Sequence, residues 1–283
     1  MLVNLNDVLL DARRGSYAVP AFDTHTNLLL EATLEAAEEM RSPVILQFHE
    51  ADLEGRKIIH VTSLIQGIAE TYSIPMVLHL DHGENPEKIK RAMDHGFTSV
   101  MYDGSHLPLE ENIRNTRDIV AYAHERNVSV EAELGHVGGS DLDFNDTGAS
   151  LLTDPKDVVR FVSETQVDAL AVSIGTVHGV YKAEPELNLQ VLERIAKVTD
   201  IPLVIHGGSG TPEDQMRRAI SKGISKVNVF ADLRIAFRKG LKTANELITR
   251  QDPLPDELFS PIIHELKLAV KDKIRVFGSE GKA

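Results

Sequence analysis

The 283-residue sequence contains no cysteine. Disulfide bonds and thiolate metal ligands are therefore excluded, and any bound metal must be held by nitrogen and oxygen atoms. Aromatic residues make up only 5% of the chain against 42% hydrophobic residues, so the core must be mainly aliphatic. A chain of this length and composition can form one α/β barrel or two smaller domains.

Basic residues are outnumbered by acidic ones, 30 to 43, and long apolar runs are scarce. The formal net charge is -13 and the pI is about 5.4. Such a surface repels nucleic acid and anionic membranes, so we expect neither as a partner, and an anionic small substrate needs a local basic or amide-lined pocket. Residues 1–14 lack a signal-type apolar core, and no later run approaches the roughly 18 apolar residues of a membrane span. We expect a cytoplasmic protein.

Two kinds of segment alternate along the chain. Short segments rich in aliphatic and β-branched residues, typical of buried parallel strands, lie at residues 17–22, 43–47, 75–80, 98–102, 128–133, 168–173, 202–206 and 225–229. Segments with helical spacing lie between them, at residues 28–41, 58–72, 86–95, 109–126, 155–165, 187–198 and 212–222. Three of the helices start with a capping residue followed by proline, at Asn85-Pro86, Asp154-Pro155 and Thr211-Pro212.

Eight strand-helix units predict an α/β protein with a single (β/α)8 TIM-barrel domain over residues 1–283. A doubly wound open sheet is the alternative, but the repeats lack the glycine motif of dinucleotide-binding folds. Two extra C-terminal helices are predicted, at residues 230–248 and in the segment that ends near residue 274. We expect the tail, residues 278–283, to be mobile.

Polar residues follow most of the predicted strands. In a barrel, the carboxyl ends of the strands converge on one mouth, where active sites lie. A single histidine at a strand end is more often a buried or rim residue than a ligand. Three of them after different strands instead predict a metal site of His82, His178 and His206, next to the acid Asp81. Such a set suits zinc, which keeps a position open for substrate.

Other strand-end candidates extend this predicted site. They are Asp23, His49, Asp103, Glu133 and Asn228. His79, in contrast, lies on the opposite strand face from His82 by parity, which indicates a structural role.

A glycine-rich segment, His206-Gly207-Gly208-Ser209-Gly210, precedes a predicted helix. Glycines let backbone amides approach an anion, and a helix start adds partial positive charge, so the segment predicts a phosphate site. A tight connection is the simpler alternative, but the position after the seventh strand is where barrels place phosphate. The end of the eighth strand, with Asn228, would form the other side.

A second glycine-containing segment, residues 131–143, combines a glycine pair with several acids. No helix is predicted before Pro155, which indicates either a mobile loop over the mouth or a solvated acidic loop. An acid on a mobile lid would reach substrate only on closure.

Six segments resemble the class II, metal-dependent ketose-bisphosphate aldolases, in particular the tagatose-bisphosphate and fructose-bisphosphate branch. They lie at residues 78–83, 102–106, 130–135, 176–182, 206–210 and 226–229, and the similarity runs nearly end to end. The resemblance implies a homodimer or homotetramer that reversibly cleaves a ketose 1-phosphate or 1,6-bisphosphate. The products would be dihydroxyacetone phosphate and an aldehyde, formed through a zinc-stabilised enediolate. A monovalent cation, Na+ or K+, commonly sits beside the phosphate.

The same resemblance implies roles for individual residues. Asp81 matches the catalytic acid-base that acts on the C4 hydroxyl. Asp141 matches the loop acid that exchanges a proton with the dihydroxyacetone phosphate carbon, and Asp143 is the alternative. Zinc is held by His82, His178 and His206, with Asp103 and Glu133 near an alternative metal position. The dihydroxyacetone phosphate contacts match Gly179, Gly207, Gly208, Ser209, Asn228 and Val229.

Three positions depart from the pattern of the family. Asp23 stands where relatives carry asparagine, His49 where they place small or hydroxyl residues, and Ala231 replaces a threonine of the phosphate motif. Asp23 and His49 would contact the aldehyde half of the substrate. We therefore hypothesise that the ketose keeps its C1 phosphate while its aldehyde half differs from glyceraldehyde 3-phosphate, an unphosphorylated aldehyde being one such form.

Two other functions fit the same barrel. A metal-dependent phosphosugar epimerase or isomerase also needs a stabilised enediolate, and release of dihydroxyacetone phosphate distinguishes an aldolase from it. A non-catalytic barrel subunit of an aldolase complex is the third alternative, which the intact metal ligands and Asp81 disfavour.

Overall fold

The computed structural model describes residues 1–139, 150–179, 181 and 185–283. Eight parallel strands form a closed barrel in sequence order, and the last strand pairs with the first. This closure confirms the predicted barrel and excludes the open doubly wound sheet. The strands are β1 Val19–Asp23, β2 Val44–His49, β3 Met76–Gly83, β4 Ser99–Tyr102, β5 Ser129–Leu134, β6 Ala169–Val172, β7 Leu203–Ile205 and β8 Ile224–Val229.

Helices surround the barrel, and in the described residues none of them is long and apolar enough to cross a bilayer. They are α1 Leu5–Gly15, α2 Asn27–Met40, α3 Lys57–Ile68, α4 Pro86–Asp94, α5 Leu109–His124, α6 Pro155–Thr165, α7 Leu189–Ala196, α8 Glu213–Ser221, α9 Ala231–Leu247 and α10 Pro255–Phe277. The two predicted C-terminal helices correspond to α9 and α10. These two helices pack against each other, and α10 also packs against α2.

Helix α1 is absent from the predicted elements. Its buried residues Leu5, Val8, Leu9 and Ala12 have helical spacing, and they pack against interior residues of the barrel such as Val19. The helix therefore closes the amino-terminal end of the barrel. Each fully buried aliphatic side chain of this size stabilises the fold by about 1.5–3 kcal/mol, so this contact is a substantial part of the lower core.

The barrel interior changes from apolar to polar along the strands. Its lower half, next to α1, contains small and aliphatic residues from five strands, namely Val19, Ala21, Ile45, Val77, Ala169, Ala171 and Val204. Above them lie His79, Glu131, His206 and Lys226, all of which are fully buried. Buried polar and charged groups destabilise a fold unless they are paired. The upper half of the barrel is therefore where a functional site is expected.

Two of the three predicted N-cap side chains were confirmed. The side chain of Asn85 accepts a hydrogen bond from the amide of Glu87 at 2.9 Å, and that of Asp154 accepts one from Lys156 at 2.9 Å. The prediction for Thr211 was wrong. The N-cap of α8 is Pro212, which has no side chain that can accept from the first turn.

The prediction of a mobile C-terminal tail was also wrong. Ser279 is fully buried, and its Oγ accepts a hydrogen bond of 2.8 Å from the hydroxyl of Ser42. The amide of Gly281 donates to the carbonyl of Met40 at 3.0 Å. The polar composition of the tail concealed these contacts, because they are made with the end of α2, far away in sequence.

Candidate active site

Strand β3 ends at the mouth of the barrel with Asp81, His82 and Gly83. Consecutive strand residues normally point to opposite faces. His82, however, has a φ of 47°, and the register of β3 against β4 shifts between Leu80 and Gly83. This bulge allows Asp81 and His82 both to reach the interior of the mouth. A left-handed backbone at a residue other than glycine costs about 1–3 kcal/mol, and such strain concentrates at functional sites.

The three predicted metal ligands lie together at the mouth. His82 comes from β3, His178 from the segment after β6, and His206 directly follows β7. One ring nitrogen of each lies within 4.8 Å of the other two. Nε2 of His82 is 2.9 Å from Nδ1 of His206, and the ring centroid of His178 is 4.9 Å from that of His82. This spacing fits three imidazoles around one ion.

Carboxylates hold the far nitrogens of two of these rings. Oδ2 of Asp103 is 2.8 Å from Nδ1 of His82, and Oε1 of Glu131 is 2.8 Å from Nε2 of His206. Each carboxylate accepts a ring proton, which leaves Nε2 of His82 and Nδ1 of His206 facing each other. These two nitrogens, 2.9 Å apart, share the second proton of the charged His82 ring, and a metal ion that displaces this proton would be bound by both. The donor set therefore fits a divalent metal ion.

The electrostatics of the mouth also favour a cation. Burial, assisted by the neighbouring Asp103, raises the pKa of Glu133 to about 8. Burial lowers the pKa of His206 to about 4, so its ring is neutral, the form that binds metals. Burial also lowers the pKa of His82. The negative charges of Asp81 and Asp103 outweigh this effect and raise the pKa of His82 to about 10. Asp81 and Asp103 thus stabilise positive charge at this point.

Asp81 is held by two amide side chains. Nδ2 of Asn228 lies 3.2 Å from both carboxylate oxygens, and Nε2 of Gln47 lies 3.1 Å from Oδ2. Burial alone would raise the pKa of Asp81, but the positive charge of His82 and of other neighbours lowers it well below its ordinary value. Asp81 is therefore an ionised carboxylate in a fixed orientation. The amide of Asn228 therefore bonds to Asp81, and its contact with substrate stays a prediction.

Asp23 and His49, two of the three departures from the family pattern, contact each other. Oδ1 of Asp23 lies 3.0 Å from Nε2 of His49, and Oδ2 accepts a hydrogen bond of 2.9 Å from Gln47. The ring of His49 stacks on that of His82 at 5.9 Å. Burial lowers the pKa of His49, but Asp23 and Asp81 outweigh this and raise it to about 9. The pair is therefore ionic at neutral pH and lies beside Asp81.

The glycine-rich segment after β7 packs tightly against the end of β8. The amide of Gly208 donates to the carbonyl of Asn228 at 3.0 Å, and Oγ of Ser209 accepts from the amide of Asp232 at 3.2 Å. Gly207 has a φ of 64°, and a Cβ there would lie 2.2 Å from a carbonyl oxygen. The two predicted sides of the phosphate site are therefore in contact. The remaining predicted contacts are Gly179, directly after His178, and Val229, whose side chain is buried.

Three residues of the site were not predicted from the sequence. Gln47, Glu131 and Lys226 are interior residues of β2, β5 and β8, and each bonds to a side chain on another strand. Glu131 and Lys226 lie inside the segments that carry the family resemblance, which is the one signal that could have found them. The predicted loop acid, Asp141, and its alternative, Asp143, lie outside the described residues.

Comparison with known proteins agrees with this geometry. The family model described as "Fructose-bisphosphate aldolase class-II" matches residues 3–282. The chain is similar to the fructose-bisphosphate aldolase of Geobacillus stearothermophilus, with 45% identity over 289 residues that cover 100% of this chain and 99% of that protein. It is 42% identical to the 6-phospho-5-dehydro-2-deoxy-D-gluconate aldolase of Bacillus licheniformis, over 99% of this chain and 96% of that protein.

Solved structures give the same result. The crystal structure of the YdjI aldolase from Escherichia coli K12 matches with a TM-score of 0.88 and 35% identity, and the match covers 100% of both chains. These relatives do not favour an epimerase, an isomerase or a non-catalytic subunit. The chain therefore belongs to the class II fructose-bisphosphate aldolase family, and it is a metal-dependent aldolase, a carbon-carbon lyase.

Proposed function

We propose that the chain, as a single barrel domain, reversibly cleaves a ketose that carries a C1 phosphate into dihydroxyacetone phosphate and an aldehyde. The observation that supports this most directly is the convergence of His82, His178 and His206 within 4.8 Å, next to Asp81. We assign the three imidazoles as zinc ligands, because nitrogen ligands in this number suit zinc. Asp103 and Glu133 would lie near an alternative metal position.

When bound, the ion supplies positive charge near the C2 oxygen, where negative charge develops as the C3–C4 bond breaks. Asp81 takes the proton of the C4 hydroxyl, so that C4 becomes the carbonyl carbon of the aldehyde. The electron pair of the C3–C4 bond passes to the dihydroxyacetone phosphate half. We assign Asp141, with Asp143 as the alternative, to return a proton to that carbon.

Asp81 is suited to this proton transfer by its surroundings. The amides of Gln47 and Asn228 hold its carboxylate, and its low pKa keeps it ionised and ready to accept a proton. A strongly acidic group is a weak base, so substrate binding and exclusion of water must raise its proton affinity during the reaction.

The phosphate of the substrate would bind at the segment after β7. Gly207 and Gly208 leave no room for side chains there, and helix α8 begins three residues after Gly210. The proposed contacts are the backbone amides of Gly179, Gly207 and Ser209 and the end of β8 at Asn228 and Val229, with Gly208 lining the site, since its own amide donates to the carbonyl of Asn228. A monovalent cation, Na+ or K+, beside this phosphate is part of the same proposal.

The aldehyde half is assigned from Asp23 and His49. Asp23 adds a buried negative charge close to the ionised Asp81, and His49 offsets one of these two charges. A phosphate group placed against Asp23 would meet a carboxylate that has no proton to donate to it, whereas hydroxyl groups would donate to this carboxylate. We therefore propose an unphosphorylated aldehyde. The two curated relatives, at 45% and 42% identity, are named for different substrates, so similarity alone does not assign this half.

A kinetic panel tests the proposal. The zinc-loaded protein is given ketose 1-phosphates and ketose 1,6-bisphosphates, and release of dihydroxyacetone phosphate is measured. We expect release from the 1-phosphates, a lower kcat/KM for the bisphosphates, and loss of release in Asp81→Asn. A clear preference for fructose or tagatose 1,6-bisphosphate would contradict the aldehyde assignment, and epimerised substrate without carbon-carbon cleavage would contradict the reaction.

The oligomeric state and the cellular location of the protein are also proposals. We propose a homodimer or homotetramer in the cytoplasm, as is common in the family. Light scattering of the purified protein measures the first, and cell fractionation the second.

A further inference from the structure

A fully buried ion pair lies directly beneath the proposed metal site. Nζ of Lys226, on β8, is 2.7 Å from Oε2 of Glu131, on β5, and both residues are 0% exposed. Burial of two ions is costly, and apolar residues of similar volume often stabilise a core equally well. The lower interior of this barrel is filled in that way, by residues such as Val77 and Val204. Packing alone therefore gives no reason for the pair.

Glu131 connects the ion pair to the metal site. Its second oxygen, Oε1, lies 2.8 Å from Nε2 of His206, whose Nδ1 faces His82. Both oxygens of Glu131 are thus engaged, one by an ammonium group and one by an imidazole. Lys226 determines where Glu131 can place its second oxygen, and Glu131 determines which ring nitrogen of His206 carries the proton.

We propose that Lys226 is a positioning residue of the aldolase site. It acts through Glu131 to keep His206 in the tautomer and orientation that offer Nδ1 to the metal. This inference rests on the proposed function, because it takes His206 as a zinc ligand. Lys226 is not a Schiff-base lysine, since its amine is fully buried and donates to Glu131.

The test compares Lys226→Met with the wild type by two measurements. Zinc affinity is measured by competition with a chelating indicator, and the ring 15N shifts of His206 are measured in the metal-free protein. Loss of a positive charge would by itself strengthen the binding of a dication. We expect instead zinc binding weaker by about 10–100-fold, the usual effect of losing a group that orients a ligand, and a mixture of His206 tautomers.

Arg13→Met is the control for general destabilisation. Arg13 donates to the carbonyl of Gly223 at 2.8 Å, on the side of the barrel that α1 closes. We expect a lower Tm in this variant with unchanged zinc affinity and a single Nε2–H tautomer of His206. Wild-type or tighter zinc binding in Lys226→Met, with the same single tautomer, would overturn the proposal and leave the ion pair a structural feature.

The double variant Lys226→Met/Glu131→Gln covers the case in which the single variant does not fold, because it leaves no unpaired buried charge. In a double variant whose metal-free Tm is near that of the wild type, zinc affinity and a mixture of His206 tautomers equal to those of Glu131→Gln alone support the proposal, because Lys226 then has no effect once Glu131 is replaced. Wild-type zinc affinity and a single His206 tautomer in the double variant would refute the proposal. A wild-type protein that binds no zinc would instead contradict the proposed function, and the tautomer of His206 would still test the role of Lys226.

Discussion

Asp103 holds His82 by a contact of 2.8 Å between its Oδ2 and the Nδ1 of the ring, which leaves Nε2 to face His206. We predict that Asp103→Asn weakens zinc binding by about 10–100-fold, because a neutral amide is a poorer acceptor and can present its NH2 group to the ring. Chelator competition measures this change. Asp168→Asn is the matched control, since Asp168 pairs with His124 at 2.9 Å outside the site. Equal zinc affinity in the two variants would contradict the prediction.

Asn228 gives a second prediction, on the chemical step. Its Nδ2 lies 3.2 Å from both oxygens of Asp81, so Asn228→Ala frees the carboxylate to rotate. We predict that kcat falls by at least about tenfold, since misplacement of a catalytic group by an ångström can cost about 100-fold, while zinc content stays at the wild-type level. Asn115→Ala is the control, because the amide of Asn115 bonds to Tyr102 at 2.9 Å away from Asp81. Unchanged kcat in Asn228→Ala would show that Gln47 alone holds Asp81.

Much of the fold was predictable because its signals are local. Each of the eight strands is a short apolar run, and the caps of α4 and α6 need only neighbouring residues. Helix α1 was missed although its spacing is regular. Its apolar face is buried only because the barrel closes above it, and closure is not a property of any short segment.

The site shows the same division between local and long-range information. The three histidines were predictable because each lies at or after the carboxyl end of a strand. The bulge at His82 was not, since strand parity assigns Asp81 and His82 to opposite faces, and only pairing with β4 shows the shift in register. Lys226 and Glu131 are 95 residues apart in sequence, so their ion pair appears only when β5 and β8 face each other across the barrel.

Gly208 gives a prediction on the phosphate side of the site. A Cβ there would lie 2.3 Å from Cγ1 of Val227 and 2.8 Å from the carbonyl oxygen of Asn228. Gly208→Ala should therefore destabilise the fold by about 1–3 kcal/mol, as overpacking does, and raise KM more than it lowers kcat. Gly67→Ala is the control, because a Cβ at this exposed position of α3 meets nothing within 4 Å. There we expect wild-type kinetics and up to about 1 kcal/mol of added stability, measured by urea unfolding.

Glu39 gives a prediction on the pH dependence of stability. It joins α2 to α10 through Lys267, at 2.5 Å from Nζ, and through Lys271. Hydrogen bonds from these two lysines lower the pKa of Glu39 from 4.5 to about 2. A carboxyl group with a lowered folded-state pKa stabilises the fold above its unfolded pKa, and this contribution is lost as the pH falls from about 4.5 towards 2.

Glu39→Gln should therefore be less stable than the wild type at pH 7, by less than about 1 kcal/mol because the group is exposed to solvent. The difference should shrink below pH 4.5 and vanish near pH 2, and it should also shrink in high salt, which screens the ion pairs. Urea unfolding at several pH values measures the difference, with Glu31→Gln on the same helix as the control. A difference that stays constant from pH 7 to pH 2 would mean that α2 and α10 are joined by packing and that the charge of Glu39 contributes nothing.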